Sequence, residues 1–144
     1  MFRRLFRQPA SAETIQDCVR LVGAFAAATF SATAASHPAL AEMRRDLLTL
    51  FTFGGVHVLS QKRRLDQAEA HAVAIATYMK HLGWSDNEAV VKAQGAISAA
   101  GPDGYPNLKA VIHKGIEGFL AWERQPHGYS ARDYADALDA FDRS

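Results

Sequence analysis

Histidine and carboxylate are the side chains in this sequence whose types and spacing could do chemistry. The chain has 144 residues, six of them histidine. His113 and Glu117 stand four residues apart in a helical segment, so one turn brings an imidazole and a carboxylate onto the same face. With two further donors that pair would hold zinc. No second pair with suitable spacing accompanies it, and the simpler reading is a histidine–carboxylate contact across one turn. His57 and His71 lie in apolar runs and read as core or subcore histidines bonded to their neighbours. A single cysteine, Cys18, excludes an internal disulfide and any multi-cysteine metal site, and its setting is that of a small apolar residue packed in a helix. No metal and no cofactor is expected. Ser11, Ser36, Ser85 and Ser130 each have a place as a helix cap or breaker. No glycine-rich phosphate loop follows a strand, and no nucleophile elbow is present, so the chain does not read as an enzyme.

Charge is the other source of chemistry. The net charge is +1, but residues 1–64 carry nine Lys/Arg against four Asp/Glu, and residues 65–144 carry seven against eleven. Arg44-Arg45 and Lys62-Arg63-Arg64, extended by Arg3, Arg4 and Arg7, would make a basic patch. A pI near 8.0 and the absence of a recognition-helix pattern argue against a nucleic-acid partner. Near the C-terminus, Asp133, Asp136, Asp139 and Asp142 recur every third residue, opposite Tyr134, Leu138 and Phe141. One reading is the solvated face of a terminal helix. The sharper reading is an acidic surface that docks on a basic protein partner. On that reading Tyr129, Asp133, Tyr134, Asp136 and Asp139 are the candidate partner-binding residues, the two tyrosines serving as aromatic anchors.

Those groups must be positioned by helices, because apolar periodicity, caps and breaks all agree on them. Ser11 precedes an amphipathic run through Ile15, Cys18, Val19, Val22, Phe25, Ala26 and Phe30. Ser36-His37-Pro38 breaks the pattern, and proline suits the first turn of the next helix, which continues through Leu40, Met43, Leu47, Leu50 and Phe51. Gly54-Gly55 could end that helix, kink it or admit a close neighbour. Val56 to Leu59 alternates like a strand but has no candidate partner strand, so it reads as helix. Asp66 with Glu69, and Ser85 with Glu88, make capping boxes. Gly83 and Gly101-Pro102 end the two helices that follow. Ala89, Val90, Ala93, Ala96 and Ile97 give the second of these its apolar face. The next helix starts near Pro106 and runs to about Arg124, with Leu108, Val111, Ile112, Ile116, Phe119, Leu120 and Trp122 largely buried. Its Gly115 and Gly118 each cost about 1 kcal/mol relative to alanine, which is explained if they let another helix approach. Ser130 with Asp133 opens the last helix. The expectation is an all-α fold: a single compact bundle of about six helices, residues 1–144 forming one domain with residues 1–10 as a basic arm.

The first 41 residues have the outline of an export signal: a basic start, an Ala/Phe-rich stretch and a cleavage-like Ala39-Leu40-Ala41. Glu13 and Asp17 interrupt the basic region, and Thr29, Ser31 and Thr33 interrupt the apolar one, so a cytoplasmic protein is expected. No run is apolar and long enough to span a bilayer, and no membrane partner is expected.

Three segments carry a resemblance. Phe53-Gly54-Gly55-Val56, the helix Gln67…His71-Ala72-Val73-Ala74, and Pro106-Asn107-Leu108…Ile112-His113-Lys114-Gly115-Ile116-Glu117-Gly118 are similar to a family of small all-helical bacterial immunity proteins. Members are encoded beside toxins of polymorphic or contact-delivered secretion systems. The resemblance spans residues 50–122. It implies a non-enzymatic protein that binds and neutralises a cognate toxin by occlusion. His71, His113 and Glu117 fall at recognisable positions without a role attached. The residues by themselves also suit a helical regulatory or small-ligand-binding module.

Overall fold

A computed structural model describes residues 8–33 and 41–142. The first seven residues of the basic arm, the Ser36-His37-Pro38 break and Ala39-Leu40 of the cleavage-like site lie outside the described residues. Among the described residues six helices follow one another: α1 Ala12–Thr33, α2 Ala41–Lys62, α3 Gln67–His81, α4 Asp86–Ala100, α5 Pro106–Arg124 and α6 Arg132–Asp142. A short 3-10 turn, Pro126–Gly128, links α5 to α6, and there is no strand among the described residues. The fold is the all-α bundle that the periodicity predicts.

Local chemistry sets the helix ends. Ser11 accepts from the Thr14 amide and caps α1. Both capping boxes form: Asp66 accepts from the Glu69 amide while Glu69 accepts from that of Asp66, and Ser85 and Glu88 do the same. Arg64, at φ 55°, takes the left-handed position after α2, and the Leu65 amide closes the end on the Ser60 carbonyl. Gly83, at φ 72°, does the equivalent after α3.

α2 is the axis of the bundle. Every residue from Phe51 to Val56 is buried, so this stretch is covered on all sides. Gly54-Gly55 continues the helix and admits a neighbour: a Cβ at Gly54 would overlap the Gly115 backbone, and one at Gly115 would overlap the Phe51 carbonyl oxygen. α2 and α5 therefore cross backbone to backbone. Beside that crossing, Phe25 stacks on Phe51 at 5.5 Å and meets Phe119 edge-on at 5.2 Å. The buried hydroxyls of Thr29, Thr33, Thr49 and Thr77 each donate to the carbonyl four residues back. Trp84 is seated by Nε1–H donating to Thr49 Oγ1 at 2.9 Å.

Several expected positions differ. Phe30, Val90 and Leu120 belong to apolar stripes in the sequence but are exposed, Phe30 by 52%. Each sits at the margin of its stripe, where helix curvature and the neighbour's width decide coverage. His57 is not a core histidine: it faces outward from α2 and pairs with Gln61 at 3.2 Å. His71 is half-buried, with Nε2 making no hydrogen bond among the described residues. α6 begins at Arg132 rather than at Ser130. The chain first turns through Ala131 at φ 57°, which seats that methyl in the core.

Candidate partner-binding face

The glycines of α5 decide which side chains reach the surface. Gly115 and Gly118 face Phe51, so Lys114 and Glu117 are carried to the rim and His113 outward. α6 lies along the same rim because Tyr134, Ala137 and Leu138 are buried beneath it. Tyr134 is 1% exposed; its ring lies 5.0 Å from Phe51, and its hydroxyl donates to the Arg44 carbonyl at 3.0 Å. It is the bolt that holds α6 down, and it is not available as a surface anchor. The narrow apolar stripe leaves a buried helix face just wide enough to take the ring.

Seating α6 in this way brings carboxylates of two helices together. Lys114 Nζ stands 3.6 Å from Glu117 Oε2 and 4.0 Å from Asp133 Oδ1, and Asp136 is exposed one turn further on. One ammonium thus lies between two carboxylates, with a third, Asp136, beyond them on α6. Partial burial pushes the Asp133 carboxyl above its ordinary value, the Glu117 charge adds to this, Lys114 opposes it, and Asp136 adds again. The face holds more negative charge than its own lysine offsets. His113 adds little to it: its Nε2 is 3.8 Å from Glu117 Oε1, beyond hydrogen-bond reach, and its side chain is 72% exposed.

Tyr129 is half-buried. Its hydroxyl shares a 2.8 Å hydrogen bond with Thr29, and burial pushes its phenol up to about 12. With Gln125, Ser130, Arg132 and Asp133 it lines a notch of about 250 Å³ at the end of the acidic face. Asp139 is half-buried on α6. Of the residues proposed from sequence, the structure gathers Tyr129, Asp133 and Asp136 on this rim and puts Tyr134 beneath it. Lys114 was missed. Its signal was the inward pair Gly115 and Gly118, which fixes the outward side of α5.

The charge asymmetry of the two halves is not a division of the surface. Lys62 pairs with Glu123 at 2.6 Å and Lys92 with Asp46 at 2.7 Å, each joining opposite halves of the sequence. His57 and His113 are both exposed, so they do not line a buried pocket with His71. Among the described residues no three His, Cys, Asp or Glu side chains are grouped closely enough to hold a metal ion. Cys18 is fully buried, and burial pushes its thiol up. No helix among the described residues is long and apolar enough to cross a membrane.

The family model of Immunity protein 48 matches residues 13–142. The chain belongs to this family. The match to Immunity protein 48 extends beyond residues 50–122 at both ends and takes in all six helices, including α1 and α6, which the three resembling segments leave out. No curated protein and no solved structure matches the chain.

Proposed function

We propose that the chain neutralises a cognate protein toxin by binding and occluding it, and that the α5–α6 rim contributes the contact. Membership of an immunity protein family along residues 13–142 carries the reading. The rim supports it chemically. Glu117, Asp133 and Asp136 outnumber Lys114, and a basic partner surface relieves that repulsion while steering the encounter. The notch beside Tyr129, lined by both Arg132 and Asp133, gives a polar side chain of the toxin a concave seat. Asp139 extends the acidic surface along α6.

The first test is protection. Cells carrying the toxin gene that adjoins this one should survive when the chain is co-expressed. Failure of such a toxin to be restrained overturns the function. The second test is the face. Asp136→Lys with Asp139→Lys should slow association by about ten-fold at low salt and flatten its salt dependence, with the helical signal retained. Protection and association equal to the parent would place the contact elsewhere.

A further inference from the structure

A second concavity lies away from the acidic rim. The latter half of α1, the start of α2 and the end of α3 enclose a groove of about 540 Å³. Its wall is apolar, from Ala27, Phe30 and Leu48, and its charged groups are Arg44 and Arg45, with Ser31 and His81 beside them. Among the described residues no carboxylate lines it. Asp46, the nearest acid in sequence, is engaged by Lys92 at 2.7 Å.

Both guanidinium groups are held in place before any ligand arrives. Arg45 donates from Nε to the Leu82 carbonyl at 3.2 Å and from Nη2 to the Gly83 carbonyl at 2.6 Å, and it stacks on Trp84 at 3.5 Å. These bonds use two of its five N–H donors. Arg44 donates to the Thr33 carbonyl at 3.2 Å and covers the Phe30 ring at 5.7 Å. Prepositioned guanidiniums lose little entropy on taking up an acid group. Closing the end of α3 accounts for Arg45. It does not account for a phenylalanine left 52% exposed beside the two guanidinium groups. A volume of several hundred Å³, apolar walls and a few converging polar groups are the marks of a small-molecule site.

We propose that this groove binds a small organic anion with an apolar body, the acid group taken by Arg44 and Arg45 and the body lying on Phe30, Ala27 and Leu48. The inference does not depend on the toxin reading. The probes are 8-anilinonaphthalene-1-sulfonate and its neutral analogue N-phenyl-1-naphthylamine, titrated by fluorescence into the full chain. The sulfonate should bind at one site and about ten-fold tighter than the neutral probe. Ser31 and Ala27 line the groove from exposed positions on α1, so both can be changed without opening the core. Ser31→Glu should weaken the sulfonate about ten-fold and leave the neutral probe unchanged, whereas Ala27→Trp should weaken both. Circular dichroism confirms that each variant is folded before it is titrated. Equal affinity for the two probes, no saturable binding, or indifference of the sulfonate to both substitutions would overturn the proposal.

Discussion

The two sides of α5 obey opposite rules. Its inner side is glycine against the Phe51 backbone, with no room for a methyl group and no charge. Its outer side is Lys114 and Glu117, solvated and crowded by the aspartates of α6. The inner side gains stability from close approach, since packed aromatic and backbone surface rewards every tenth of an ångström. The outer side gives stability up, because Asp133 ionises while partly buried and beside the Glu117 charge.

Phe25→Ala should have the largest effect. Its ring touches Phe51, Phe119, Trp122 and Tyr129, so truncation leaves a cavity at the centre of the inner region. A loss of about 3–5 kcal/mol in chemical denaturation is expected. Gly115→Ala comes next. In an exposed helix the change would stabilise, but here the methyl meets the Phe51 carbonyl, and a net loss of about 1–3 kcal/mol is expected. A gain instead would show that α2 and α5 do not cross backbone to backbone. Tyr134→Phe removes only the hydrogen bond to the Arg44 carbonyl and should cost about 1 kcal/mol, loosening α6 first in amide exchange.

The smallest effect sharpens the comparison most, because its sign is reversed. The folded Asp133 carboxyl releases its proton above the ordinary range and the unfolded one within it. Between those two values the folded state holds the extra proton, so stability falls as pH rises through that window. Above it the ionised group opposes folding. Asp133→Asn should therefore be more stable than the parent at pH 7, by up to about 0.5 kcal/mol given the solvent screening at this rim. The advantage should shrink in high salt and disappear below the ordinary carboxylate range. A variant less stable than the parent at pH 7 would mean that Lys114 outweighs the burial of Asp133 together with the Glu117 and Asp136 charges.

What could be read from the sequence was what is local. The Asp66/Glu69 and Ser85/Glu88 boxes depend on residues three apart, and both form as read. Gly54 and Gly115 announced a close approach but not to each other, because helix pairing is a long-range choice that periodicity does not encode. The same reason hides Lys114 beside Asp133 and the Thr29–Tyr129 bond. Tyr134 was legible as a member of an apolar stripe and as a neighbour of aspartates. Only the packing of α6 against Arg44 and Phe51 decides that the first role wins. The Arg44–Arg45 pair was legible only as part of a basic patch, since its groove is closed by the end of α3, some 37 residues further along the chain.

The bonds that close the bundle join distant parts of the chain: Thr29 to Tyr129 spans 100 residues and Arg44 to Tyr134 spans 90. During synthesis α1 and α2 leave the ribosome well before α5, so the Phe51–Gly54 stretch of α2 is made before the glycine side of α5 that covers it. No early product can set the acidic rim in place. The charged face, made by α5 and α6 together, exists only once the last helix docks.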